Sequence, residues 1–413
     1  MSSKNKNANG IGSIRKRQDG RWEARYTTGF DPKTGKPIRK SIYGKTQREV
    51  REKLTATQAE IDAGTYIEPS GMTLEEYLDF WIRTYSIDKR FNTLKGYKAS
   101  IRNHIVPALG DYKLEELTPV ILQQFFNDLS RPDEDGNMLS PKTVKNIFIV
   151  LRAALYQAVD NELIHKNPCL KVKLPRVNKM EISPLTDEQI HDFMLIAPGD
   201  KLYGTLLITL LFTGMREGEG MGLTWDCVDF EAGTIFINKQ LQRLPLSAGG
   251  MQLTPTKNGK DRILKPAGFV LDLLKIRYVE QEMQSRLAGE AWEAWHSEAE
   301  HRKALVFTNE VGHCLVPKRV YLHFKKIADE IGAPDARVHD LRHTFAVISL
   351  QNGVDIKTLQ QILGHASAAF TLDVYGHVTS RMLDDSSEKM QNYYTNTMQK
   401  NAGEKHQNCL ENF

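Results

Sequence analysis

No run of apolar residues in this 413-residue chain approaches the roughly 18 that a membrane-crossing helix needs. The longest apolar stretch, Leu202 to Phe212, reads as a buried helix of an ordinary core. Cysteine is scarce: Cys169, Cys227, Cys314 and Cys409 lie far apart without a CxxC pair, which excludes a disulfide framework and a zinc knuckle and leaves reduced thiols. The amino terminus, MSSKNKNANG, lacks the apolar core of a secretory signal, so the expected location is the cytoplasm. Internal repeats are missing as well. A chain of this length exceeds one ordinary core and suits two or three domains.

Excess charge of one sign is also missing from the chain as a whole, at +4, but not from its parts: residues 1–45 hold 12 Lys/Arg against 3 Asp/Glu, a net of +9, and the rest carries −5. A solvated basic tail would account for the charge alone. The pattern of GSIRKRQDGRWEARYTTGFDPKTGKPIRKSIYG argues for more, because it alternates and carries turn signals at Asp19-Gly20 and at Asp31 to Pro37. It predicts a three-stranded antiparallel sheet. Arg15, Arg17, Arg21, Arg25, Arg39 and Lys40 would give that sheet a basic rim, interleaved with Trp22, Tyr26 and Tyr43, unless Trp22 and Tyr26 are simply core. Thr46 then opens a helix with Val50, Leu54, Thr57 and Ile61 on one face to cover the sheet. A sheet backed by a helix and basic on its other face can enter a major groove.

Composition divides the remainder of the chain. Gly64 to Met72 is a linker, and Thr73-Leu-Glu-Glu76 has capping-box spacing. Helices are expected at Thr73–Tyr85, Phe91–Ile105, Thr118–Ser130 and Pro141–Glu162. Exposed lysines on these helices, Lys95, Lys142 and Lys145 among them, serve solubility or a second DNA clamp. Residues 166–184, with three prolines and five Lys/Arg, read as an interdomain linker suited to passing over a duplex, and Thr186xxGln189 caps the next helix. Thr234 to Asn238 is expected as a strand, residues 251–265 as a hairpin around Asn258-Gly259, and Gln281 to Glu300 looks like an acidic linker. The domains are thus 1–64, 73–165 and 182–400.

Within the third domain stand, in order, TGMREGEGMGLTW (213–225), TPTKNGKDRILKP (254–266), HDLRHTFA (339–346), LGHAS (363–367) and TLDVYGHV (371–378). Taken together they resemble the catalytic domain of the tyrosine recombinases, and with the two preceding domains the chain resembles the integrases of Tn916-type conjugative transposons. Each element alone is weak, and the order and spacing of all five carry the signal. The resemblance implies a multidomain α+β fold: a small three-stranded sheet plus helix that binds arm-type DNA, a helical core-binding domain, and a mixed, mainly helical catalytic domain. It implies a site-specific recombinase of a mobile element, cleaving and rejoining DNA through a 3′-phosphotyrosine.

That chemistry asks for these residue types. Transesterification at a phosphodiester builds negative charge on the non-bridging oxygens and needs a nucleophile and a proton for the departing 5′ oxygen. Arg216 and Arg342, always cationic and fork-shaped, fit two sides of the phosphate, so neither metal nor cofactor is required. His339 and Arg342 share one helix face. By the resemblance His339 is an acid/base and phosphate ligand, His365 donates to a non-bridging oxygen, Lys257 protonates the leaving group and Tyr375 is the nucleophile. Glu219 is expected to orient the site rather than act as a base, His343 to pack within its helix, and His377 stays unassigned. Singly, Arg216 could be a surface arginine, Lys257 a hairpin lysine, His365 a helix cap after Gly364 and Tyr375 a core aromatic. HDLRH also has the histidine spacing of metalloproteases, but Asp340 replaces the catalytic Glu and Arg342 would sit beside a dication. A non-cleaving DNA-binding regulator would lack a catalytic residue, and a related topoisomerase would not need the basic sheet. The resemblance further implies double-stranded DNA at element ends and target, self-association into a tetrameric synapse, and an excisionase or DNA-bending accessory protein as partner. The apolar positions Met382, Leu383, Met390, Tyr393, Tyr394 and Met398 form a thin helical stripe expected to dock on a neighbouring subunit.

Deleting residues 1–64 is expected to abolish binding to a distal arm site while cleavage of core-site DNA survives. Gel shifts on the two DNAs check this, and undiminished arm-site binding would mean that the sheet reads no DNA.

Overall fold

The computed structural model describes residues 13–64, 66–132, 136–177, 183–257 and 259–365, with Met390, Gln391 and Thr395 beyond them. Tyr375, His377 and the rest of the stripe in 379–400 lie outside the described residues. The chain divides into two compact units, Met1–Asn178 and Lys179–Phe413.

The first unit opens with β1 (Ser13–Lys16), β2 (Trp22–Phe30) and β3 (Pro37–Gly44), an antiparallel sheet in that order. The alternation of β2 decides what each face does. Ala24 and Tyr26 are buried and join Trp22 against Val50 and Leu54 of α1 (Gln47–Asp62), which Thr46 caps. Trp22 and Tyr26 are therefore core, and only Tyr43, 45% exposed, accompanies the basic residues.

The helical part continues with α2 (Leu74–Tyr85), capped reciprocally by Thr73 and Glu76. Then α3 (Phe91–Ser100) runs through a π-turn at Ile101–Ile105 into α4 (Val106–Leu109). The rod thus extends past the expected end at Ile105. The wider turn lets the Val106 N–H reach the Ile101 carbonyl and carries the chain over Pro107, which has no N–H to give. After α5 (Pro119–Asp128) and α6 (Pro141–Asp160), the apolar faces of α2, α5 and α6 meet in one core, with the Tyr77 hydroxyl donating to Ala154 O at 2.8 Å. The expected linker is partly fastened down. Cys169 is buried, Val172 and Leu174 pack on this core, and Gln123 bonds both the N–H and the carbonyl of Lys173 at 2.8 and 2.9 Å.

The second unit contains α7 (Asp187–Ile196), α8 (Gly204–Thr213), α9 (Glu217–Met221), β4 (Val228–Asp229), β5 (Thr234–Ile237), β6 (Lys239–Arg243), β7 (Met251–Pro255) and β8 (Arg262–Leu264). The helices α10 (Gly268–Ala288), α11 (Glu298–His301), α12 (Pro317–Glu330), α13 (Val338–Gln351) and α14 (Ile356–Leu363) complete it. Nearly every residue of α8 is buried, so this apolar helix forms the centre around which α7, α10, α12 and α13 pack.

Two expectations fail here. The segment 251–265 is not a hairpin of its own: β7 pairs with β6, and β8 pairs with β5. The hairpin is longer and its tip lies at 244–250, while residues 256–261 loop out of the returning arm opposite Asn238. Burial of Ile235, Ile237, Leu241 and Leu264 sets that pairing, and the Gly259 N–H on Thr256 O is a local bond within the loop. Nor is Gln281 to Glu300 a linker. Gln281 is fully buried on α10, where Trp225 Nε1 donates to it at 2.8 Å and it donates to Thr308 Oγ1 at 2.8 Å. Downstream, His301 is stacked between Tyr278 and Trp295 at 4.3 and 3.8 Å. A polar sequence here packs through amide and aromatic partners that hydropathy does not register.

α8 ends at Gly214, whose φ of +65° is open to glycine and costly for other residues. A Cβ there would also strike the Phe345 ring and lie 2.9 Å from Leu363 Cδ2. Gly214→Ala should combine left-handed strain of roughly 1–2 kcal/mol with overpacking of about 1–3 kcal/mol. The expected fall in Tm is on the order of 10 °C by thermal unfolding.

Candidate active site

Arg337 caps α13 and its side chain pairs with the buried carboxylate of Asp340 at 2.9 Å. The Asp340 of the metalloprotease-like spacing is thereby occupied, and among the described residues no three His, Cys, Asp or Glu side chains are placed to hold a metal ion. The next residues of α13 bring His339, Arg342 and His343 to one face. Thr344, one residue on, accepts from the Leu185 N–H at 3.0 Å and pins α13 to the entry of α7.

Arg342 is 2% exposed. Its Nη1 donates to Gly214 O at 2.7 Å and its Nη2 to Leu363 O at 2.5 Å. Arg216 stands two residues after Gly214, at the cap of α9, with Nη1 on Glu219 Oε1 at 2.7 Å and Nη2 on Gly364 O at 3.2 Å. A third arginine, Arg262 on β8, grips both Glu219 oxygens at 3.1 and 2.6 Å and donates from Nε to Ile362 O at 2.6 Å. Three consecutive carbonyls at the end of α14 thus each accept from a different arginine. They lie at the negative end of the helix, where cations are favoured. Burial pushes the Glu219 carboxyl up, but hydrogen bonds and charge from Arg262, then from Arg216, overrule it and hold the pKa at about 2.

His365 comes directly after. Gly364 closes α14 at φ +64° in a Schellman turn, with its N–H on Gln361 O and the His365 N–H on Gln360 O, both at 3.1 Å. Burial, then Arg342 and Arg216, lower the His365 pKa to about 3. His339 keeps an exposed edge, yet burial of its ring and the neighbouring His343 and Arg342 lower it to about 4. His343, 4.8 Å from the His339 ring, is lowered chiefly by burial. The imidazoles are therefore neutral at pH 7, each able to donate from one nitrogen and accept at the other. Lys257 is exposed in the looped-out segment 256–261, which is closed by the Gly259 N–H on Thr256 O at 3.0 Å.

The basic residues of the first unit fall into two groups. Arg15, Glu23 and Tyr43 are cross-strand partners, so they share the sheet face away from α1. There Arg15 and Arg25 donate to Glu23 at 2.7 and 3.1 Å, with Ser41 Oγ at 2.9 Å. The Arg15 hydrogen bond is the main cause that holds Glu23 down at about 2, against its own burial. Arg21 is tied to Asp19 at 2.9 Å, Arg17 lies 5.4 Å from the Tyr43 ring, and Arg39 is exposed on β3. Lys40 pairs across the sheet with Tyr26, on the α1 side, and bonds Glu68, so it is not part of that face. Lys95 on α3 and Lys142 and Lys145 on α6 are exposed, on helices that share a groove lined by Asn92, Thr93, Gly96, Thr143 and Asn146.

Family profiles agree with this architecture: the phage integrase family matches residues 184–382, and the phage integrase amino-terminal SAM-like domain matches residues 73–130. Together they span more than half of the chain. The chain belongs to the phage integrase family. A tyrosine recombinase XerC-like protein of Caldanaerobacter subterraneus subsp. tengcongensis is 27% identical over 384 residues, covering 89% of this chain and 95% of that protein. The transposase from transposon Tn916 of Enterococcus faecalis is 26% identical over 338 residues, covering 80% of each chain. The Tn1549 transposon integrase, solved in complex with a circular intermediate DNA, has the same fold, with a TM-score of 0.64 at 23% identity over 77% of this chain and 99% of that one. This integrase-family chain is accordingly a tyrosine-type site-specific recombinase.

Arg216, His339, Arg342 and His365 come together from three segments, the α8–α9 corner, α13 and the end of α14, and Glu219 binds the side chain and the backbone N–H of Arg216. Arg262 is not distinguished by its sequence context. It stands within TPTKNGKDRILKP as one of several basic residues, and only its strand position turns it inward.

His339 and His365 take up a proton near pH 6.5 when unfolded but only near 4 and 3 when folded. Below 6.5 the unfolded chain binds more protons, so stability should fall as pH drops from 6.5 toward 4 and stay flat above 6.5. Tm measured between about pH 5 and 6.5, clear of most carboxyl titration, should show this slope, and His365→Asn should make it shallower.

Proposed function

We propose that the protein is the integrase of a mobile element and that Tyr375 attacks the scissile phosphate of duplex DNA. The Tyr375 oxygen bonds to phosphorus, the bond to the 5′ oxygen breaks, and Lys257 supplies the proton that the departing oxygen takes up. The phosphotyrosine keeps the energy of the broken bond, so rejoining to another strand needs no external energy source. Arg216 and Arg342 stabilise the charge that builds on the non-bridging oxygens, His365 donates to one of them, and His339 exchanges the nucleophile's proton. The observation that carries this reading is the pair Arg216 and Arg342, from distant segments, held on the adjacent carbonyls of Gly364 and Leu363 immediately before His365. Preorganised cations cost no rearrangement when charge develops, and neutral imidazoles beside them can donate and accept protons at pH 7.

The segment 1–64 would bind arm-type DNA through Arg15, Arg17, Arg21, Arg25 and Arg39, without Lys40, which lies on the α1 side of the sheet. The segment 73–165 would hold the core site through Lys95, Lys142 and Lys145, and 182–400 would carry out catalysis. Recombination requires four strand cleavages, which calls for a tetrameric synapse on two duplexes, with the stripe in 379–400 docking between subunits and an excisionase or DNA-bending protein setting direction. The cytoplasm is where such DNA is met.

Incubation with core-site DNA should yield a covalent protein–DNA adduct, and Tyr375→Phe should bind the DNA yet form none. Arg342→Lys, which keeps charge but loses the planar fork, should slow cleavage on the order of 10²-fold with a much smaller change in affinity. An adduct from Tyr375→Phe would exclude Tyr375 as nucleophile.

A further inference from the structure

Arg262 comes after the loop that carries Lys257, yet its described hydrogen bonds run to the groups around the phosphate site. Nη1 and Nη2 hold the two oxygens of Glu219, while Nε holds the Ile362 carbonyl, and the side chain is 8% exposed. Glu219 in turn binds both Nη1 and the backbone N–H of Arg216, at 2.7 and 2.9 Å. Ile362 lies two carbonyls before Gly364, which accepts from Arg216, and three residues before His365. Arg262 also lies close against this turn, since a Cβ on Gly364 would come 3.2 Å from its Nη1. One guanidinium therefore fixes the carboxylate that aims Arg216 and the peptide that delivers His365. Lysine could not replace it, because an ammonium on a flexible stem has no planar fork to span a carboxylate and a carbonyl together.

We propose that Arg262 is a positioning residue for strand cleavage, holding Arg216 and His365 in register on the scissile phosphate without itself touching DNA. This inference rests on the phosphotyrosine mechanism. A cation only loosely positioned beside the phosphate gives up much of the stabilisation that a fixed one provides, because reorganisation then falls within the reaction.

The test compares the full-length chain, Arg262→Lys and Lys257→Ala on two core-site DNAs, one with the natural 5′ oxygen at the cleavage point and one with sulfur in that bridging place. A thiolate departs without a proton, so a variant lacking only the proton donor recovers on the sulfur DNA, whereas misplaced charge-stabilising groups stay defective. Arg262→Ala strips a buried carboxylate of one partner and is expected to lose stability, which makes Arg262→Lys the decisive variant. The expected result is near-normal Tm and DNA affinity, cleavage slower on the order of 10²-fold, and no recovery on the sulfur DNA, where Lys257→Ala does recover. Three outcomes overturn the proposal: cleavage like the unaltered chain, recovery on sulfur DNA as for Lys257→Ala, or loss of Tm and DNA binding in step with cleavage. An unaltered chain that forms no adduct with either DNA would instead sink the phosphotyrosine mechanism, and this proposal with it.

Discussion

The catalytic half of the molecule depends on how the last turn of α14 is held. Three peptide carbonyls, Ile362, Leu363 and Gly364, are each claimed by an arginine from another part of the chain: Arg262 from the hairpin, Arg342 from α13, and Arg216 from the α8–α9 corner. A helix end leaves its final carbonyls without internal partners, and unpaired buried carbonyls are costly. Satisfying them with guanidinium groups ties four separate segments to one point and concentrates positive charge there. His365, the next residue, inherits its place from this arrangement, and the same cations help to keep its ring uncharged.

Arginines crowded together repel one another, and buried carboxylates answer that. Glu219 lies between Arg216 and Arg262, and Glu23 lies between Arg15 and Arg25 on the sheet of the first unit. Both carboxyls are held at about 2. Taking a carboxylate out of water carries a desolvation cost, so such groups are poor sources of stability. What they provide is direction: a guanidinium bonded on one edge to a fixed carboxylate has fewer orientations open to it. The two halves of the chain use the same device on unlike scaffolds, one a sheet face and the other a helix corner.

Much of the architecture was legible in the sequence because it obeys short-range rules. Thr73 with Glu76 and Thr186 with Gln189 form the capping boxes that their spacing announces, and α5 and α6 begin at the prolines that suit a first helical turn. Where two signals competed, the nonlocal one prevailed. The Asn258-Gly259 signal suggested one hairpin, but burial of Ile235, Ile237 and Leu264 assigns the strands on either side of it to different partners. Along 281–300, Gln281 and Trp292 are buried in a stretch whose polarity suggested solvent, because packing answers to particular partners rather than to mean hydropathy.

By itself the sequence determined the family and named Arg216, Glu219, His339, Arg342 and His365 as one candidate site, since motif order and spacing are written along the chain. Tertiary structure decided which groups share an environment. It put Lys40 on the α1 side of the sheet while Arg15 and Arg25 share the other face, because pairing register fixes the face of every strand residue. It also brought Arg262 to Glu219, 43 residues away, and to Ile362, 100 residues away. No local pattern encodes contacts of that range, which arise only when a buried carboxylate and an open helix end must both find donors in the folded core.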